Sequence, residues 1–171
     1  GMHKTSTGRL FTVQGNRLSE WSTALVETTI GTLSTSVGVV DMVDDGIELT
    51  IVDGSFGYTV TLLTDAFAII SDVDFPDGAT RVEYMNGIVI VNRPNTQFLQ
   101  WTTNALSWDG TLQYDVSGSP DLLVAHIIAG NRVWAFGTDS SEVLYDTGTN
   151  GDRLARMEGT LTDVGCSAVH S

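Results

Sequence analysis

The sequence has few cysteines, basic residues and prolines, and no long apolar run. Its 171 residues include one Cys, three Pro, and eight Lys plus Arg against 21 Asp plus Glu, for a formal net charge of −13. A single cysteine excludes an intramolecular disulfide and fits a reducing compartment. The negative charge repels phosphate backbones and anionic membranes, so we expect no nucleic-acid or membrane binding. Without a membrane-spanning run or a signal-peptide core, we expect a soluble protein that is not exported.

The residues that are present favour short β-strands joined by turns. Hydrophobic residues make up 42% of the chain, which is enough for one well-buried domain over residues 1–171, and there are 18 glycines. Apolar stretches run for four to eight residues and many alternate with polar ones, as in residues 9–13, 47–52 and 81–84. No stretch has a helical pattern. The sequence therefore predicts an all-β fold.

The turns repeat along the chain. Asp-Gly, Asn-Gly or Gly-Asn turns join two strands at Gly15, Gly46, Gly87 and Gly130, with steps of 31, 41 and 43 residues between these glycines. Such turns are typical of tight hairpins whose central residues need positive φ. A step just above 40 residues suits one four-stranded blade of a β-propeller.

We therefore predict a β-propeller-like fold with about four blades, which is a partial propeller if further blades are missing. The predicted blades cover residues 9–30, 36–71, 79–113 and 121–158. The first step is short, so the first blade is expected to be incomplete or three-stranded over residues 11–30. A β-sandwich or an irregular barrel with coincidental spacing is the alternative.

Acidic clusters are the first candidate sites. Asp72, Asp74 and Asp77 surround Pro76 just before Gly78, and Glu83 follows. A helix-flanked calcium loop needs oxygen ligands at its first, third and fifth positions and Gly at its sixth, but the fifth position here is Pro76. A turn between strands is favoured, with a weak cation site as the alternative. A second cluster, Asp41, Asp44 and Asp45, lies at a hairpin and is interpreted in the same way.

Other candidate side chains have equally plain interpretations. Cys166 and His170 could form a Cys-His pair, but no third group is visible, so a packed thiol is favoured. Trp101 and Trp108 could stack a sugar, whereas Trp134 lies in an apolar run that suits packing between blades. No nucleophile elbow, phosphate loop or zinc motif is present. We therefore predict no catalytic, cofactor-binding or metal-binding residues.

An ordered series of short motifs runs from about Gly46 to Ser171: Asp74-Phe75-Pro76, Asn92-Arg93-Pro94, Ser119-Pro120-Asp121, Trp134-Ala135-Phe136-Gly137 followed by Glu142-Val143, and Gly165-Cys166. With these motifs the chain resembles the packaged-DNA stabilisation proteins of short-tailed bacteriophages. The segment before Ser119 is shorter than in the family, and family chains continue past the equivalent of Gly165 to Ala168. The resemblance therefore implies a fragment, a truncated open reading frame or a divergent short relative.

The resemblance implies β-propeller subunits of the tail hub that form a ring around the exit channel of the filled capsid. The expected partners are further copies of the chain and the neighbouring portal and tail proteins, in a virion assembled in the bacterial cytoplasm. No metal role is implied for residues 72–78. An open arc of blades leaves its terminal faces unpacked, so the chain should self-associate or close as a small four-bladed ring, and self-association is favoured.

Two functions of different classes follow from the sequence. The first is a non-enzymatic virion protein that closes the portal channel and stabilises packaged DNA. The second is a lectin-like propeller that binds carbohydrate through Trp101 or Trp108.

Overall fold

The computed structural model describes residues 1–116, 118 and 121–168, and within them the fold is all-β. Sixteen strands form four antiparallel sheets of four strands each, and within every sheet the strands follow chain order. The strands are β1 (Met2–Lys4), β2 (Leu10–Gln14), β3 (Arg17–Trp21) and β4 (Glu27–Thr32) in the first sheet; β5 (Asp41–Asp44), β6 (Glu48–Val52), β7 (Gly57–Thr61) and β8 (Ala66–Ile69) in the second; β9 (Val82–Met85), β10 (Ile88–Asn92), β11 (Phe98–Thr102) and β12 (Gln113–Asp115) in the third; and β13 (Leu123–Ala129), β14 (Arg132–Gly137), β15 (Ser141–Thr149) and β16 (Asp152–Arg156) in the fourth.

Four sheets of four consecutive strands confirm the predicted all-β, propeller-like fold, and each sheet is one blade. The strands of blades 2 and 4 lie inside the predicted limits 36–71 and 121–158. The strands of blade 3 extend two residues beyond the predicted limits 79–113. Blade 1 differs from the prediction, because Met2–Lys4 pairs with Leu10–Gln14 and completes a fourth strand. A strand of three residues shows too little alternation to be recognised from sequence. The predicted limits of blade 1, 9–30, therefore left out Met2–Lys4.

The hairpin glycines have the backbone conformation that the sequence predicts. Gly15, Gly46, Gly87 and Gly130 all have positive φ, between +59° and +89°. The short first step arises because Gly15 joins the second and third strands of its blade, whereas the other three glycines join the first and second. A Gly-Asn turn identifies a hairpin but does not identify which strands it joins.

Among the residues that the structure describes, three separate hydrophobic cores lie between the four blades. Phe11, Leu18, Leu49, Ile51 and Tyr58 belong to the core between blades 1 and 2. The core between blades 2 and 3 is formed by Val52, Phe75, Val82, Val89, Val91 and Trp108, among others. The core between blades 3 and 4 is formed by Ile88, Ile90, Leu99, Trp101, Val133 and Leu144, among others.

Successive blades contact one another through their first strands. Strand β5 contacts both β1 and β9, and β9 contacts β13, so the first strands line the inner edge where the blades converge. In the described part of the chain no core joins blade 4 to blade 1. The four blades therefore form an open arc with two terminal faces.

Candidate functional site

The acidic turn at residues 72–78 lies at the junction of blades 2 and 3, and its groups are used within the fold. The Asp72 carboxylate accepts hydrogen bonds from the main-chain amides of Asp74 and Trp108, both at 3.0 Å. These two bonds hold the pKa of Asp72 below its usual value. Gly78 has a φ of +87°, and its amide donates to the Ser55 carbonyl of blade 2 at 3.1 Å.

A buried aromatic pair fixes this turn against blade 3. Phe75 meets Trp108 edge to face, with ring centroids 5.1 Å apart, and both side chains are buried. The Trp108 indole N–H donates to the Ala105 carbonyl at 2.8 Å. The segment has the contacts of a structural turn between two strands, as favoured from its Pro and Gly. Among residues 1–116, 118 and 121–168, no group of three or more His, Cys, Asp or Glu could hold a metal ion.

The second acidic cluster divides into one local turn residue and two residues that join blades. Asp45 accepts the amides of Ile47 and Glu48, as an Asp in a hairpin commonly does. The Asp44 carboxylate instead reaches blade 1, where it accepts hydrogen bonds from the main-chain amide and hydroxyl of Ser6 and lies 2.8 Å from His3 Nε2. Burial opposes ionisation of Asp44, but these bonds outweigh it and lower the pKa of the carboxyl.

Asp41 makes the corresponding link from blade 2 to blade 3. Its carboxylate accepts the Val82 amide at 3.0 Å and lies 3.4 Å from the Arg81 guanidinium. The same guanidinium lies 3.5 Å from Glu83 Oε1. Burial and the nearby Asp41 charge raise the pKa of Glu83 to about 7, although Arg81 acts in the opposite direction. The Arg81 guanidinium thus lies close to the carboxylates of both Asp41 and Glu83, where β5, β9 and β13 converge.

His126 lies in the same region, fully buried on β13. Its Nε2 is 3.3 Å from the Ile90 carbonyl, and burial lowers its pKa to about 4, so the ring is neutral at physiological pH. The links made by Asp41 and Asp44 and the burial of His126 could not be predicted from sequence, because each depends on which blade lies alongside the first strand.

The tryptophans proposed as a sugar-stacking platform are both inside the protein. Trp101 is 4% exposed in the core between blades 3 and 4, and Trp108 is 5% exposed in the core between blades 2 and 3. Neither ring has a free face to stack on a carbohydrate ring. The prediction of carbohydrate binding through Trp101 or Trp108 is therefore wrong.

Cys166 lies near the end of the described chain, partly exposed. Its main-chain amide donates to the Gly137 carbonyl at 2.8 Å, and its thiol lies 3.1 Å from the Ala168 carbonyl oxygen. The suggested partner His170 and the Ser119-Pro120 motif lie outside the described residues. No helix in the described chain is long and apolar enough to span a membrane.

The outward face of blade 4 is the largest departure from the sequence prediction. Trp134 was expected to pack between blades, yet it is 41% exposed on the side of β14 that faces away from blade 3. Ile127 on β13 and Val143 on β15 lie directly opposite it, so the three side chains form one row across three strands. We call residues 127, 134, 136, 143 and 145 the blade-4 outer face.

The outward face of blade 1 is more polar. Leu10 on β2 lies opposite Trp21 on β3, and Met2 on β1 lies opposite Thr12 on β2. The Trp21 indole N–H donates to the Thr12 hydroxyl at 2.9 Å. We call residues 2, 10, 12 and 21 the blade-1 outer face. In the described part of the chain no further blade covers either outer face, although Val143 is only 6% exposed.

Comparison with known proteins supports the fold. A family model described as Phage_stabilise, Bacteriophage P22 Gp10, beta-propeller, matches residues 1–171. No curated protein matches the chain significantly. The family match confirms the resemblance drawn from residues 46–171 and extends it over the whole chain.

Solved structures similar to the chain share its fold at low sequence identity. Virginiamycin B lyase from Staphylococcus aureus matches with a TM-score of 0.58 and 11% identity, covering 78% of this chain and 46% of that one. The computationally designed Ika8 protein matches with a TM-score of 0.61 and 13% identity, covering 98% and 50%. A chain of the Mitotic Checkpoint Complex matches with a TM-score of 0.64 and 9% identity, covering 94% and 52%. The chain therefore spans about half the length of these structures.

Proposed function

Because the chain belongs to the Bacteriophage P22 Gp10 β-propeller family, we propose that it is a non-enzymatic structural protein of the phage tail hub. In this role it closes the portal channel and stabilises packaged DNA through protein–protein assembly. Its partners are copies of itself and the neighbouring portal and tail proteins. It assembles in the bacterial cytoplasm and is located in the virion.

The observation that supports this role is the way the charged and aromatic residues are used. Asp41, Asp44 and Asp72 all bond across blade junctions, and Trp101 and Trp108 fill cores. The apolar groups left exposed on the blade-4 outer face suit contact with protein surfaces. These features favour a scaffold whose function is assembly.

The charge of the chain suits a position beside packaged DNA. With a formal net charge of −13, the protein repels phosphates. A channel wall that attracted phosphates would hold the genome back during ejection. The proposed role therefore requires no DNA-binding site.

Deletion of the full-length gene from its phage tests this function. We expect capsids that package DNA and then lose it, and few infectious particles, with both defects restored by the gene supplied from a plasmid. An unrelated protein without catalytic activity, expressed from the same plasmid, is the control. Normal yields of DNA-filled, infectious particles without the gene would contradict the proposal.

A further inference from the structure

The chain contains two Asn-Gly pairs, Asn86-Gly87 and Asn150-Gly151, and each forms the two-residue turn of a hairpin. Asn-Gly pairs are especially prone to deamidation, because glycine has no side chain to hinder attack of its amide nitrogen on the asparagine side chain. Every other asparagine of the chain precedes a larger residue. The two pairs have different surroundings, and this difference separates a reactive site from a protected one.

Blade 4 holds the side chain of Asn86 through two charged groups. Asn86 Nδ2 donates to Asp146 Oδ2 at 3.1 Å, and Arg153 Nη2 donates to the Asn86 carbonyl oxygen at 2.9 Å. Arg153 also donates to both carboxylate oxygens of Asp146, at 2.7 and 2.8 Å, and lowers the pKa of that carboxyl to about 2. The nitrogen that would leave Asn86 on deamidation is therefore held by a charge-assisted hydrogen bond.

The main chain of the Asn86 turn is restrained as well. Asn86 has a φ of +50° and Gly87 a φ of +83°, as in a type I′ turn. For reaction, the Gly87 nitrogen must rotate towards the Asn86 side-chain carbon, and the side chain must leave Asp146. Deamidation of Asn86 therefore requires local opening of the junction between blades 3 and 4.

Asn150 has none of these restraints in the described part of the chain. Its side chain is exposed and makes no hydrogen bond there, and its φ is negative. The hydrogen bonds around this turn come from neighbouring residues, such as the Thr147 hydroxyl, which accepts the Thr149 amide at 3.0 Å. The Asn150 side chain can therefore meet the next amide nitrogen without breaking a bond to the rest of the fold.

The exposure of Asn150 follows from its position in the repeat. It lies in the turn between the third and fourth strands of its blade, and the corresponding turns of blades 1 and 2 contain Leu25 and Leu63. These two side chains are 78% and 92% exposed, although a further blade follows each of them. The repeat therefore leaves this turn in solvent even where another blade follows.

We propose that Asn150 is a spontaneous modification site that deamidates through a succinimide, while the blade junction protects Asn86. The Gly151 nitrogen forms a bond to the Asn150 side-chain carbon, the bond from that carbon to Nδ2 breaks, and ammonia leaves with the Gly151 amide proton. Water then opens the ring at either carbonyl carbon and gives aspartate or isoaspartate. The product adds a negative charge to a chain of formal charge −13, and isoaspartate also lengthens the main chain of the β15–β16 turn.

Peptide mapping by mass spectrometry measures both sites during incubation of the folded chain in mildly alkaline buffer. We expect Asn150 to deamidate at least about tenfold faster than Asn86, because reaction at Asn86 must first break hydrogen bonds to charged groups. If Asn150 stays unmodified, or if Asn86 reacts as fast as Asn150, the proposal is wrong.

The same measurement in urea separates the effect of the fold from that of the local sequence. In the unfolded chain neither pair is restrained, so we expect Asn86 and Asn150 to deamidate at similar rates. If Asn150 remained as much faster in urea as in the folded chain, the neighbouring sequence would be the cause, and protection by the fold would be refuted.

Asp146→Ala tests the protecting network directly. The variant loses the acceptor of the Asn86 amide, so we expect deamidation of Asn86 to accelerate about tenfold. Asp152→Ala is the matched control, because Asp152 is exposed beside the Asn150 turn and its carboxylate has no bond to Asn86 in the described chain. Thermal melting establishes that both variants are folded. An Asn86 rate that Asp146→Ala leaves unchanged would overturn the proposed protection.

This inference goes beyond the proposed function and does not rest on it. Deamidation rates are measured on the purified chain and are independent of the phage deletion. The failure of one proposal can therefore be told from the failure of the other.

Discussion

Blade 3 and blade 4 have similar faces in different surroundings. Ile90 and Trp101 lie in a core under blade 4, whereas Ile127 and Trp134 occupy the same row one blade later and remain exposed. The difference shows that blade 4 has the same alternating pattern as blade 3. Trp134 is exposed because no further blade packs against blade 4 in the described part of the chain.

The largest effect is expected when Trp101 and Trp134 are each replaced by Ala in separate variants. Trp101→Ala deletes a ring from a closed core and should lower the free energy of unfolding by about 3–5 kcal/mol. Trp134→Ala removes a ring that is 41% exposed and should cost less than about 1 kcal/mol. Urea unfolding of both variants measures the contrast. Equal losses would mean that Trp134 is packed as closely as Trp101.

The links between blades provide the second test. Asp44→Ala removes the acceptor for the Ser6 amide and hydroxyl across the junction of blades 1 and 2, so we expect a loss of about 1–3 kcal/mol. Asp45→Ala is the matched control, since its bonds stay within one hairpin, and about 0.5–1 kcal/mol is expected. If Asp45→Ala lowers the free energy of unfolding more than Asp44→Ala does, the junction is held by its apolar core alone.

Glu83, in the covered row of blade 3, gives a pH-dependent contrast with the uncharged row of blade 4. Its folded pKa of about 7 lies above the ordinary 4.5, so the native state holds the proton more tightly than the unfolded chain. The resulting stability is present below pH 4.5 and is lost as the pH rises through 7. Glu83→Gln should remove this loss and raise the free energy of unfolding by on the order of 1–2 kcal/mol at pH 8. The free energy of unfolding of both proteins at pH 5 and pH 8 measures this difference. If the variant kept the same pH dependence, Glu83 would not be its cause.

The smallest effect is expected at the acidic turn between blades 2 and 3. Asp72 is committed to two main-chain amides, so millimolar calcium should shift the melting temperature by less than about 1 °C. Magnesium at equal ionic strength is the control. A saturable increase in melting temperature with calcium alone would mean that Asp72, Asp74 or Asp77 forms a cation site.

The sequence predicted the fold through features that act locally. Positive φ at Gly46, Gly87 and Gly130 follows from turn chemistry, and the limits of blades 2 to 4 follow from alternation between such turns. The strand Met2–Lys4 was missed because three residues provide almost no pattern. Aromatic residues were harder to interpret, since a strand's alternation shows that two faces exist but does not show what covers each.

The sequence by itself determined that this chain forms short strands, tight hairpins and four repeated blades, because those depend on neighbouring residues. Tertiary structure alone decided that Trp101 and Trp108 are buried, that Asp41 and Asp44 join blades, and that Trp134 remains exposed. These outcomes depend on which blade lies alongside.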